Sequence, residues 1–99
     1  MEKETVVLGD EDDDRLRDVL KKVLKGLGGK QRGSSLGLGG SQVIEELEVE
    51  LDGELLHVEA ETYMGLSITG LPKLVRRIRD LVNEYLIVET LEGEKPELS

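Results

Sequence analysis

The sequence has few of the residue types that most often act as nucleophiles or metal ligands or that form aromatic cores. Its 99 residues include no cysteine, tryptophan or phenylalanine, and the only histidine is His57. Without cysteine there can be no disulfide framework, no thiolate nucleophile and no cysteine-ligated zinc, which suits a reducing compartment. Without large aromatic residues, the core has to be built from leucine, valine and isoleucine. These absences predict a small domain with a modest aliphatic core and no cofactor.

Positive charge is also scarce. The chain has 13 basic and 22 acidic residues, a formal net charge of −9. Such a chain has no general affinity for nucleic acid, whose phosphates need clustered lysine and arginine, so any macromolecular partner is expected to be basic. No run approaches the ~20 apolar residues of a membrane span, and the N-terminus lacks a signal-peptide pattern. The sequence therefore predicts a cytoplasmic protein with neither a nucleic-acid nor a membrane partner.

Two stretches repeat apolar residues at the spacing of an amphipathic helix. The first follows a run of aspartates, which the positive end of the helix dipole favours, and precedes a glycine-rich stretch. Its apolar positions are Leu16, Val19, Leu20, Val23, Leu24 and Leu27. The second begins near Pro72, a residue favoured at the first helical position. Its apolar stripe consists of Leu71, Leu74, Val75, Ile78, Leu81, Val82 and Tyr85, and its basic outer face of Lys73, Arg76, Arg77 and Arg79.

The best-defined feature is a β-hairpin that turns at Asp52-Gly53. Asp-Gly is a preferred pair for a type I′ turn, in which both central residues need a positive φ. Closing the chain there pairs Leu51 with Glu54 and fixes which side chains share a face. One face is apolar and consists of Leu47, Val49, Leu51, Leu56, Val58 and Ala60. The other is acidic and consists of Glu46, Glu48, Glu50, His57, Glu59 and Glu61.

The remaining segments complete a predicted fold. Residues 5–8 indicate a first strand, residues 28–41 a glycine-rich mobile loop or ragged strand, and residues 86–88 a short final strand. Apolar and polar residues continue to alternate past the hairpin as far as Ile68, and a bend or bulge is expected at Gly65. The order β-α-β-β-α-β predicts an α+β, ferredoxin-like sandwich with both helices on one face of the sheet. Residues 1–91 would form this single domain, and residues 92–99 a frayed tail.

Motif searches along the chain favour surface roles over catalysis. Asp10, Asp12 and Asp14 have the spacing that opens an EF-hand loop, but Arg15 replaces its glycine and Lys21 its bidentate glutamate. This cluster is better explained as an acidic helix N-terminus. Residues 26–40 match no phosphate-loop spacing and are better explained as a linker. No serine has the context of a nucleophile, so an enzyme is not expected.

The acidic face is the predicted working surface. Like charges face each other across it, an arrangement that a basic partner would relieve. The predicted site consists of Glu46, Glu48, Glu50, His57, Glu59, Glu61 and Tyr63, and in a self-associating chain the basic helix face of a second copy could match it. Two alternatives stay open. One is a regulatory domain that binds a small ligand or divalent metal, either through His57 with Glu48, Glu59 and Glu61 or through the glycine-rich segment. The other is an orphan or engineered domain with no selected activity.

Overall fold

A computed structural model describes residues 2–39, 42–62 and 64–93 and shows an α+β fold. One antiparallel sheet has the strand order β1-β5-β4-β3-β2. Both helices pack against the same face of this sheet through one core cluster. The elements are β1 (Glu4–Gly9), α1 (Asp14–Gly26), β2 (Lys30–Gly39), β3 (Gln42–Leu51), β4 (Glu54–Glu61), β5 (Gly65–Gly70) and α2 (Pro72–Gly93).

Helix α1 forms as the sequence predicts. The Asp13 carboxylate caps its N-terminus by accepting a hydrogen bond from the Leu16 amide at 3.0 Å. Its apolar stripe is turned into the core and consists of Leu16, Val19, Leu20, Val23 and Leu24, all buried. The helix ends near Leu27, where the Gly29 amide donates to the Leu24 carbonyl at 2.8 Å.

The Asp52-Gly53 hairpin is also confirmed. Asp52 and Gly53 have φ angles of 50° and 81°, the two positive values that a type I′ turn requires. Leu51 pairs with Glu54 and Val49 with Leu56, which is the predicted register. Five of the six predicted core positions of the hairpin are buried, and Leu47 is partly buried. The turn therefore separates the core face from the acidic face as expected.

The element order departs from the ferredoxin-like prediction in its strands. Most of the glycine-rich segment, for which either a mobile loop or a ragged strand was expected, forms strand β2 (Lys30–Gly39), which pairs with β3. Residues 40 and 41 of that segment lie outside the described residues. The strand expected to run on to Ile68 is interrupted, because β4 ends at Glu61 and β5 begins at Gly65. Between them, the Met64 amide donates to the Glu61 carbonyl at 3.0 Å. Gly65 has a φ of 92°, and a Cβ there would lie 2.5 Å from a β1 carbonyl oxygen, so glycine is required where β5 begins. The order found is β-α-β-β-β-β-α.

The predicted final strand is absent from the described residues. Residues 86–88 belong to α2, where the Arg15 guanidinium donates to the Leu86 carbonyl at 3.1 Å. A short apolar run fits either a strand or a helix, and continuing α2 satisfies its backbone without a strand partner. Helix α2 includes residues 92 and 93 of the expected tail, whereas residues 94–99 lie outside the described residues. Neither described helix is both long and apolar enough to cross a membrane.

Candidate functional site

The face of the sheet that carries no helix among the described residues is the candidate site, called here the open face. Adjacent strands bring its side chains into rows. One row runs from Gly33 through Glu48 and His57 to Thr69 and Thr5. The next runs through Glu46, Glu59, Ser67 and Val7. The structure thus brings together on β3 and β4 the predicted residues Glu46, Glu48, Glu50, His57, Glu59 and Glu61.

His57 lies at the centre of the carboxylates. Its strand partner is Glu48, as predicted, but the carboxylate in contact is the diagonal one: His57 Nε2 lies 3.8 Å from Glu46 Oε1. Glu46 and Glu59 are direct cross-strand partners. One ligand-type atom from each of Glu46, His57 and Glu59 lies within 4.8 Å of the other two. An imidazole nitrogen and two carboxylate oxygens therefore converge on one point of the surface.

A shallow recess adjoins this cluster. It has a volume of about 270 Å³ and is lined by Gly33, Ser34, Glu46, Glu48 and His57. Gly33 sits at a register shift in β2, and a Cβ at this position would meet no atom within 4 Å. The missing side chain leaves His57 accessible from the β2 side. A cationic side chain entering the recess would meet the carboxylates of Glu46 and Glu48, which both lie on β3.

The carboxylate of Glu50, near the β2 edge of the face, is compensated by Arg32. Arg32 Nε donates to Glu50 Oε1 at 2.9 Å, and this hydrogen bond lowers the pKa of Glu50 below its ordinary value. Glu48, Glu59 and Glu61 form no ion pair among the residues that the structure describes. The negative charge of the open face is therefore concentrated around His57 and away from the β2 edge.

The half of the open face on β5 and β1 is neutral. The Thr5 and Thr69 hydroxyls hydrogen-bond to each other at 2.7 Å. Val7 is 59% exposed beside them, and Leu55, on β4, is 51% exposed. The sequence does not reveal the part of the face formed by Thr5, Val7 and Thr69, because β1 and β5 are far apart in the chain and only their pairing joins them. The face thus combines an acidic half with a smaller uncharged half.

The basic residues of α2 lie on the helix side of the sheet. Arg76 donates two hydrogen bonds to the Glu4 carboxylate, at 2.9 and 2.8 Å. This pairing lowers the pKa of Glu4 and raises that of Arg76. Arg79 contacts Asp80 at 3.1 Å, whereas Lys73 and Arg77 are exposed. The basic face is therefore partly neutralised within its own chain, which reduces what it could offer to a second copy.

Two further observations bear on function. Tyr63, the remaining residue of the predicted site, lies outside the described residues. No family model, curated protein or solved structure matches the chain. The chemistry of the open face is therefore the basis for a functional proposal.

Proposed function

We propose that this protein is a non-enzymatic binding module that holds a basic protein partner on its open face. The observation that carries the proposal is the placement of Glu46 directly opposite Glu59, with His57 beside them. Like charges in facing positions destabilise a sheet and give an isolated domain no benefit. A cationic partner converts this repulsion into attraction and speeds the encounter by electrostatic steering.

The spacing of the carboxylates indicates the form of the partner. Along β3, Glu46 and Glu48 are two residues apart, which places them about 7 Å from each other on one side of the strand. An extended segment with a basic residue at every second position has the same repeat. Exposed Val7 and Leu55 offer apolar contact beside the charges. The proposed partner is therefore a basic, extended protein segment in the cytoplasm, and the same negative field disfavours nucleic acid.

A matched pair of charge variants tests this proposal. In the face variant, Glu46, Glu48, Glu59 and Glu61 are replaced by glutamine. In the control variant, the same number of exposed carboxylates elsewhere is neutralised, at Glu2, Asp12, Asp18 and Glu54. The two variants have equal net charge, so they differ only in where the charge was removed. The probe is a short peptide of alternating lysine and threonine, with binding measured calorimetrically.

The face variant is expected to bind the probe at least about tenfold more weakly than the wild type, and the control to stay within about threefold. A peptide of the same composition with its lysines in one block should bind the wild type less tightly, because it lacks the strand repeat. If both variants lose affinity equally, the peptide senses only the net charge. The open face would then have no special role.

The convergence of Glu46, His57 and Glu59 favours a second candidate function, binding of a divalent metal. Imidazole nitrogen with carboxylate oxygen is a donor set that zinc accepts at about 2.0–2.2 Å. The three ligand-type atoms already lie within 4.8 Å of one another, so small side-chain rotations would bring them around one ion. Zinc would supply a positive charge that relieves the repulsion between Glu46 and Glu59, and water would complete its coordination.

Nuclear magnetic resonance distinguishes this candidate from the first. Adding zinc chloride to the wild type is expected to shift the His57 ring resonances with one-to-one stoichiometry. A Glu59→Gln variant should lose this response, and Glu61→Gln should keep it. Ring resonances that do not move at millimolar zinc would remove the metal-binding candidate without affecting the peptide measurement.

A further inference from the structure

Strand β2 is an edge of the sheet, and no described strand pairs with its outer side. It has ten residues, and its inner side pairs with β3 along its length. In an edge strand, alternate residues direct their backbone N–H and C=O groups away from the sheet. Such a row of groups is a template for another extended strand. The outer side of β2 therefore provides backbone hydrogen bonds that an extended segment can complete.

The opposite edge of the sheet, β1, is better protected against an added strand. It has only six residues, and Arg76 of α2 reaches its first residue, Glu4, through two hydrogen bonds. Folded proteins commonly block an edge with charged side chains, a proline or a bulge. In β2 these features are confined to its start, where Lys30 and Arg32 lie and the register shifts. Residues 33–39 contain no charged residue and no proline, so they form the unprotected part of the edge.

Gly33 opens a path from this edge to the carboxylates of the open face. The register places Gly33 beside Glu48, and Glu48 beside His57, so these residues form one row on the open face. Gly33 has no side chain to close the row, and a Cβ there would meet no atom within 4 Å. The recess lined by Gly33, Glu46, Glu48 and His57 lies at this row. A side chain from a strand added beside β2 would therefore enter the recess across Gly33.

The dimensions of the row suit a lysine side chain. Neighbouring strands lie about 4.8 Å apart, so an added strand would run about 10 Å from β3. The flexible four-carbon stem of lysine spans more than one of these spacings, which would carry its ammonium past Gly33 toward Glu48. Two residues further along β2, the row of Ser35 leads to Glu46. A segment with lysine at alternate positions would thus direct one ammonium along each row.

The charge of the chain favours a basic segment over a second copy as the added strand. Pairing two β2 strands would join two chains that each have a net charge of −9. Such chains repel each other, whereas a basic segment reduces the net charge. The positive charges of β2 lie at its start, where Arg32 pairs with Glu50. They therefore leave residues 33–39 accessible to a basic segment.

We propose that the basic partner binds by strand addition, with its backbone paired to residues 33–39 and one lysine crossing Gly33 to the recess at Glu48. This mode of binding rests on the function proposed above and specifies how the partner is held. Backbone hydrogen bonds supply affinity whatever the side chains of the partner, and lysines at alternate positions supply selectivity. The β2 edge thus binds the backbone of the partner, and the open face binds its side chains.

Amide hydrogen exchange in the wild type tests the backbone pairing. The probe is the alternating lysine-threonine peptide at saturating concentration. Alternate amides of residues 33–39 are expected to exchange at least about tenfold more slowly with peptide bound, because they gain an acceptor. Unchanged exchange along β2, with the peptide bound, would overturn strand addition. The proposed function would then stand, with the peptide lying across the open face.

A matched pair of substitutions tests the passage across Gly33. Gly33 has no positive φ and lies in open space, so Gly33→Val should fold while closing the passage. Gln31→Val adds the same side chain to β2 on the helix side of the sheet, where residue 31 lies beside Val49. In calorimetry, Gly33→Val should bind the peptide at least about tenfold more weakly than the wild type, and Gln31→Val within about threefold. Equal affinities of the two variants would overturn the passage of a lysine across Gly33.

Two further outcomes separate strand addition from its alternatives. Protection of the β2 amides that appears without peptide and grows with protein concentration would place a second copy on this edge and overturn the proposal. A variant with glutamine at Glu46, Glu48, Glu59 and Glu61 that binds the peptide as tightly as the wild type would overturn the proposed function, and strand addition through a lysine with it. The exchange measurement uses the wild type, so it decides the pairing even if Gly33→Val fails to fold by circular dichroism.

Discussion

Replacing Glu59 by lysine is expected to make the isolated domain more stable, although it removes a residue of the proposed binding surface. In the wild type, the Glu59 side chain faces Glu46 across β3 and β4. The substitution turns a like-charge pair into an opposite-charge pair without changing the core, because residue 59 projects from the open face. A surface selected only for stability would not keep this repulsion.

The distance between the carboxylates sets the size of the effect. Ligand-type oxygens of Glu46 and Glu59 lie within 4.8 Å of each other. Two unit charges at about 5 Å interact by about 0.8 kcal/mol in a water-like dielectric. Reversing the sign of one charge, less the entropy of ordering a lysine, gives a gain of about 1 kcal/mol. For a domain of this length, that gain raises the melting temperature by about 4–8 °C.

Thermal denaturation at low and high salt measures the prediction. The gain from Glu59→Lys should shrink in about 1 M salt, where the screening length falls to about 3 Å. Glu54→Lys is the matched control, because its strand partner is Leu51 and the substitution relieves no facing carboxylate. Equal melting temperatures for wild type and Glu59→Lys at low salt, or a gain that salt does not reduce, would refute the claim that the open face is electrostatically strained.

Three further predictions concern the fold. Leu56 is fully buried, so Leu56→Ala should cost about 2–5 kcal/mol in urea denaturation. Gly65→Ala should destabilise the domain by more than about 1 kcal/mol, because Gly65 has a φ of 92° and the new Cβ would lie 2.5 Å from a β1 carbonyl oxygen. Gly33→Ala should have a smaller effect, because a Cβ at residue 33 meets no atom within 4 Å. Arg76→Gln should raise the pKa of Glu4 toward its ordinary value in a carboxyl titration. Folding lowers the pKa of Glu4, so the ion pair between Glu4 and Arg76 stabilises the fold at neutral pH, and this stabilisation is lost below about pH 4. The Arg76→Gln variant lacks the ion pair, so its stability should fall less than that of the wild type over the same pH range.

Local chemistry explains which parts of the fold could be predicted. The Asp52-Gly53 turn and the alternation around it determine the β3–β4 register from adjacent residues alone. Helix α1 likewise carries its own cap at Asp13 and its own apolar stripe. In both segments, the conformational preferences of the residues, the apolar pattern and the turn or cap residues favour the same structure. A sequence specifies its local structure when these signals agree.

Non-local pairing explains what could not be predicted. Strand β2 is rich in glycine and serine, so its own residues favour a loop, and pairing with β3 holds it in the sheet. Residues 86–88 have β-forming side chains, but they continue α2, whose first turns are anchored in the core. Tertiary context outweighed local preference in both segments.

The strand register confirms which carboxylates share a face with His57, but the sequence did not predict the closest contact among them. The register places Glu48 opposite His57. The carboxylate in contact with the imidazole ring, at 3.8 Å, is instead that of the diagonal residue Glu46. Diagonal neighbours on adjacent strands are within reach of long side chains, because these lean along the strand. The register alone therefore identifies the residues of the face but not which of them meet.

Amide chemical shifts during a titration with the alternating lysine-threonine peptide test the central claim, that the open face is the working surface. If the peptide binds there, saturable shifts are expected on β3, β4 and β5, concentrated around Glu46, His57 and Thr69. The control variant, neutralised at Glu2, Asp12, Asp18 and Glu54, should show the same pattern. Shifts spread over all acidic surfaces of the chain, or centred on the helix side of the sheet, would show that the open face is not the binding surface.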